Sequence, residues 1–178
     1  MHVVPRITAL SLAALLAGGC ASLGGGSGGG SAVKTVALES RSGSSVTGNL
    51  KLSDTKAGLR IRGEVRGLAP GSEHGFHIHE KGDCSAPDAA SAGPHFNPAG
   101  VAHGRAGSGG AHHAGDMPNI KADAKGVAKV DQVVAGVTLA AGASSATGRA
   151  LVVHRDPDDY TSQPAGNAGP RFACGVIR

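Results

Sequence analysis

Between Val33 and Leu68 apolar and polar residues alternate with a period of two. Val46, Gly48, Leu50 and Leu52 interleave with Thr47, Asn49 and Lys51, and Leu59, Ile61, Gly63 and Val65 with Arg60, Arg62, Glu64 and Arg66. Side chains two apart on a strand share a face, so this pattern predicts antiparallel strands with one face on a core and one in water. Leu68-Ala69-Pro70-Gly71 then predicts a turn. Gly75-Phe76-His77-Ile78-His79-Glu80 predicts a further strand, with His77 and His79 on the same face. Strands are also expected over Gly126–Val134, with Val137–Leu139 as a short partner, over Gly148–His154 and over Arg171–Ile177. Two long connections, from Glu80 to about Asn119 and from Arg155 to Gly169, are rich in Gly, Pro, Ser and Ala. Short strands joined this way predict an all-β fold, a Greek-key barrel or sandwich of about eight antiparallel strands with two long functional loops.

The chain ahead of Val33 has a different pattern. Residues 1–20 predict an export signal: His2 and Arg6 mark a short polar start, and Ile7–Ala17 is apolar but too short to span a bilayer. The run ends Leu16-Ala17-Gly18-Gly19-Cys20, small residues directly before a cysteine. This is similar to the lipobox of bacterial lipoproteins, although Ala17 stands where that motif prefers leucine; an ordinary cleaved signal is the alternative. Lipidation at Cys20 would anchor the chain to the periplasmic side of a membrane rather than thread it through. Residues 21–31 predict a Gly/Ser tether, and 32–178 the globular domain.

Composition narrows the picture. The 178 residues carry 30 Gly, 2% aromatic and 17% charged side chains. So thin an aromatic content predicts that cross-links or metal supplement the core. The formal net charge of +4 is spread as isolated Lys and Arg, which gives nucleic-acid binding little support. Of the 3 Cys, Cys84 and Cys174 remain if Cys20 is lipidated. In an exported chain they would bridge, closing a loop worth roughly 4–5 kcal/mol of unfolded-chain entropy; two buried free thiols are the alternative.

Candidate chemistry concentrates in the first long loop, which holds His95, His103, His112, His113 and Asp116 downstream of His77 and His79. Imidazole suits copper and zinc, and a metal-organised loop explains that concentration of ligand types where disorder does not.

The motifs GFHIHE, SAGPHFNP, HG, HHAGD, LVVH followed by DPDD, and GNAGPRFACGVI, in that order, closely resemble the copper–zinc superoxide dismutase family from about Val33 to the end. The resemblance implies one copper ion bound by His77, His79, His95 and His154, and one zinc ion bound by His95, His103, His113 and Asp116. His95 would bridge the two metals and exchange a proton, and Arg171 would attract and orient superoxide beside the copper. Asp158 would hydrogen-bond a copper and a zinc histidine, and Cys84–Cys174 would be the family disulfide. The chemistry is consistent: three histidines and a carboxylate make a closed zinc set, and four histidines suit copper(II).

His74, out of phase with His77, is expected to be structural. His112 is expected to be exposed and without a task, and Asp156 and Asp159 to be loop charges. Thr161–Ala165 is nearly uncharged where the family's second loop often carries acidic and lysine residues, so steering of the anion would rest on Arg171 and the overall positive balance. A copper-delivery lipoprotein or a copper-only dismutase would be expected to lack some of these ligands, and none is missing. Monomer and homodimer are both compatible with the pattern.

Overall fold

The computed structural model describes residues 1–3 and 33–178. Cys20, the expected tether and all but the first three residues of the expected signal therefore lie outside the described residues. Among the described residues nine strands follow in chain order: β1 Val33–Ser40, β2 Thr47–Thr55, β3 Gly58–Arg66, β4 Glu73–His74, β5 Phe76–His79, β6 Ile120–Lys121, β7 Val127–Val134, β8 Ala150–His154 and β9 Arg171–Val176. A single 3₁₀ turn, Ala90–Ala92, interrupts the first long loop. No helix among the described residues is long and apolar enough to cross a membrane.

The all-β expectation holds. Seven strands form an antiparallel sheet in the order β5-β8-β9-β1-β2-β3-β7, a Greek-key order because β7 and β8 lie at distant places in the sheet. β1 joins the two halves: Val33–Leu38 pair with β2, while Glu39 and Ser40 pair with β9. The sheet curls toward closure through the small β4–β6 pair. Ala122 bridges to Ala128 at the start of β7, and only Gly75 separates β4 from β5.

The period-2 pattern becomes burial as expected. Leu50, Leu52, Leu59, Ile61 and Val65 are fully buried and face Phe76, Ile78, Leu151 and Ile177 across one core. β5 and β8 are buried on both faces. Leu151 and Val153 enter the main core, while Ala150 and Val152 join Ala89, Ala92 and Cys174 in a second small cluster under the first loop. A strand covered on both faces reads as a continuous apolar run, as LVV does here.

Val137–Leu139, expected as a strand, is not one. The Asp54 carboxylate captures Thr138 Oγ1 at 2.9 Å and the Leu139 amide at 2.8 Å, and Thr138 makes only an isolated bridge to Ser145. A side-chain acceptor there competes with the ladder for the same amide.

Candidate metal centre

β5 places the site. Phe76 and Ile78 enter the core, so His77 and His79 project from the opposite face, beneath the two loops. His154, the last residue of β8, lies beside them because β5 and β8 pair antiparallel, and the following β8–β9 register shift falls at Val153/His154. The first loop brings His95 back by an isolated bridge to His79. Its next turn is held where the Gly115 amide donates to the Phe96 carbonyl and the Ile78 amide to the Gly115 carbonyl. A Cβ at Gly115 would sit 2.2 Å from the Ile78 oxygen, so glycine is required for this approach.

Two groups of ligand-type atoms result, each drawn together within 4.8 Å: His77, His79, His95 and His154, and His95, His103, His113 and Asp116. All seven residues are buried, and His95 belongs to both groups. These are the residues for which the family resemblance implies copper and zinc.

The hydrogen bonds specify which nitrogen of each ring is free. His79 Nδ1 donates to the Gly93 carbonyl at 2.9 Å and His154 Nδ1 to the Gly169 carbonyl at 3.2 Å. His77 Nε2 and His103 Nε2 donate to the two oxygens of Asp158, each at 2.9 Å. The proton on one nitrogen leaves the other with a lone pair. The free nitrogens then face inward: His79 Nε2 and His154 Nε2 are 3.2 Å apart, an arrangement two lone pairs avoid unless a cation lies between them. His77 Nδ1, His95 Nε2, His103 Nδ1 and His113 Nδ1 are buried with no hydrogen-bond partner. Orphaned buried acceptors cost free energy, and a metal in each group would satisfy them. The donor set thus fits copper on one side and zinc on the other.

Electrostatics favours metal-ready protonation. Burial pushes His77 and His79 well below the ordinary histidine value, and the neighbouring imidazoles, with Arg171 beside His79, further disfavour a charge there. Burial also brings His154 down to about 4. For Asp116 burial opposes ionisation, yet donors from His95, the His113 amide and the Gly104 amide outweigh it and hold the carboxyl well below its usual range.

Arg171, at the start of β9, is half-buried, its guanidinium donating to the Ala89 carbonyl at 2.6 Å and the Gly93 carbonyl at 2.7 Å. Gly93 therefore accepts from both Arg171 and His79. A cleft lined by His79, Glu80, His95, His154, Pro164 and Arg171 opens the first group to the surface. Cys84 and Cys174 are bonded, with Cα atoms 5.8 Å apart, which ties the carbonyls under Arg171 to its own strand.

Several residues with no assigned role hold the ligands. Gln163 clamps His103 by its backbone: its Oε1 accepts the His103 amide at 2.9 Å and its Nε2 donates to the His103 carbonyl at 3.0 Å. Asn119 exchanges two bonds with the Asp158 backbone, at 2.9 and 3.0 Å, and its own amide donates to the Tyr160 hydroxyl at 2.8 Å. Gly166 has φ +63 and lies so close to Asp158 that a Cβ would stand 1.7 Å from Oδ1. His74 is buried and structural, its Nδ1 donating to the His154 carbonyl at 2.9 Å. His112, expected to be exposed, is half-buried because its Nδ1 turns back onto the His113 carbonyl at 2.8 Å; it joins neither group. Asp156 pairs with Arg155, and Asp159 accepts the Thr161 and Ser162 amides, shaping the second loop.

The copper/zinc superoxide dismutase (SODC) family model matches residues 46–177. The chain is 49% identical over 137 residues to superoxide dismutase [Cu-Zn] 2 of Aquifex aeolicus, covering 75% of this chain and 80% of that one. It is 40% identical over 132 residues to the superoxide dismutase-like protein YojM of Bacillus subtilis, covering 72% and 66%. The crystal structure of a SOD-like protein from Bacillus subtilis superposes with a TM-score of 0.74 at 36% identity, covering 82% of this chain and 98% of that one. With two histidine groups sharing one ring on this fold, and a family match over most of its length, the chain belongs to the copper/zinc superoxide dismutase family and is an enzyme of that type.

Proposed function

We propose that the chain converts two superoxide anions and two protons into dioxygen and hydrogen peroxide, with copper held by His77, His79, His95 and His154 and zinc by His95, His103, His113 and Asp116. The observation that carries this reading is the set of buried ring nitrogens without partners, one of them on the histidine common to both groups. Copper, when bound, supplies a one-electron couple that takes an electron from one superoxide and returns it to another.

The chain's own residues do the rest. Arg171 presents a fixed cation at the cleft and orients the incoming anion. Its half-buried position screens that charge less than a surface arginine's. His95 turns Nδ1 toward Asp116 at 2.8 Å and Nε2 toward the first group. That second nitrogen would accept a proton and pass it to the departing peroxide. Asp158 and the Gly93 and Gly169 carbonyls hold the remaining rings in the tautomers this requires. The second group is a closed set of four ligands, suited to a structural zinc that orders the first loop. The Leu16–Cys20 pattern further supports export and a lipid anchor through Cys20 on the periplasmic side of the envelope.

Metal content and dismutation would be measured together on copper- and zinc-loaded protein, beside Arg171→Ala and His154→Ala. One copper and one zinc per chain are expected, with fast dismutation weakened by the arginine change and abolished by the histidine change. Bound copper with no dismutation above that of the His154 variant would refute the catalytic reading and leave copper handling as the better account.

A further inference from the structure

Basic residues scattered along the sequence are gathered by the fold on one face. The outward positions of β2, β3 and β7 carry Lys51, Arg60, Arg62, Arg66 and Lys129, against only two carboxylates, Glu64 and Asp131. The face thus holds most of the formal net charge of +4. In register across the strands, Lys51, Arg62 and Asp131 form one row and Asn49, Glu64 and Lys129 the next. Asp131 lies 2.8 Å from Arg60 and 3.5 Å from Arg62, and Glu64 pairs with Arg66. These pairs are solvent-exposed and bind weakly. No carboxylate lies within ion-pairing distance of Lys51 or Lys129 among the described residues.

Two further observations identify the partner. A third row on the same face, Val33, Ser53, Arg60 and Val133, ends in two of the exposed large apolar side chains. Val33 is also the first residue of β1, and the chain from Cys20 to it spans at most about 45 Å when fully extended. The cleft of the first group lies elsewhere: it is lined from β5, β8, β9 and the two long loops and by no residue of β2, β3 or β7, while Val133, at the edge of the basic face, shares a cavity with Asp116 of the second group.

We propose that this face docks on anionic phospholipid headgroups, turning the metal cleft away from the membrane surface. The reach argument rests on the proposed anchor at Cys20; the charge argument does not. A second copy of the chain is a poor partner, because the same cationic rows would face each other. Cations near an anionic leaflet each strengthen binding about fivefold, and the two apolar ends would insert beside them.

The test uses the mature chain from position 20, with Cys20→Ser so that no acyl group contributes. Its partition would be measured on phosphatidylglycerol-containing vesicles and on pure phosphatidylcholine vesicles, at low and high salt. Binding to the anionic vesicles alone, lost at high salt, is expected. Lys51→Glu with Lys129→Glu should weaken it by more than about tenfold, while Lys81→Glu in the first loop with Lys121→Glu in β6, an equal charge change outside the seven-stranded sheet, should weaken it far less. Equal loss in both pairs, no binding by the parent chain, or stronger retention on single-stranded DNA at matched phosphate would each overturn the proposal. The mass of the exported chain's N-terminus reports acylation separately, so failure of the anchor and failure of the docking face are distinguished.

Discussion

Asp158→Asn isolates what one carboxylate does for both histidine groups. Three donors converge on it: His77 Nε2 at 2.9 Å on Oδ2, and His103 Nε2 at 2.9 Å and the Tyr160 amide at 2.7 Å on Oδ1. An asparagine is nearly the same size but has one acceptor oxygen. Whichever way its amide turns, an N–H₂ group faces a ring nitrogen that now donates. That ring must shift its proton to Nδ1, the nitrogen that stands orphaned in both His77 and His103. One metal group then loses a lone pair, and the buried negative charge between the groups is lost as well. Removing such a partner costs 10–100-fold in metal affinity, about 1.4–2.7 kcal/mol. Competition against chelators of graded affinity, run separately for copper and zinc, measures it, with the circular dichroism of the metal-free protein as a control for folding. Unchanged affinity for both metals in a folded variant would refute the tautomer argument.

Other expectations follow from the same contacts. Arg171→Ala should lower kcat/KM for superoxide by about tenfold or more with copper content unchanged and a flatter salt dependence, read by pulse radiolysis across ionic strengths. Gln163→Ala removes both backbone clamps on His103 and should weaken zinc by up to about tenfold, with a smaller effect on copper, measured by the same competition. Cys84→Ser with Cys174→Ser opens a loop with a sequence separation of 90. Urea unfolding of the metal-free protein should lose about 4–5 kcal/mol, and a loss under about 1 would contradict the chain-entropy account. In the metal-free protein burial keeps His77 and His79 well below the ordinary histidine value and His154 at about 4. The unfolded chain therefore takes up protons at these rings that the folded one refuses. Stability should fall as pH drops from about 6.5 to about 4 and recover on the way up; a melting temperature that stays flat or rises on acidification would count against it.

The sheet was readable because its signal is local. Leu50 and Leu52, or Ile61 and Val65, alternate with polar neighbours, and the side-chain period of a strand is two. The two side-chain groups were readable for another reason: their motifs stand in the family's order, and the fold draws those same residues together. What stayed hidden depends on contacts between distant segments. Nothing near Gln163 in the sequence announces that its amide closes on the backbone of His103, sixty residues away. Asn119 and Gly166 look like ordinary loop residues until Asp158 stands between them. Val137–Leu139 has the residue types of a strand, but a carboxylate from β2 takes its amide. His112 could be told from His113 only by family register, and its turn onto the His113 carbonyl is a purely three-dimensional fact.

The carbonyl of Gly93 accepts one hydrogen bond from Arg171 and another from His79. Both groups that frame the cleft are therefore referenced to a single atom. When the loop drifts, guanidinium and imidazole are carried the same way, so the motion is common-mode and largely cancels in the gap between them. Only differential motion, which must break one of the two bonds, would change the spacing an incoming anion meets. A glycine-rich loop can in this way be soft as a whole and still hold a constant gauge at the one place where distance matters.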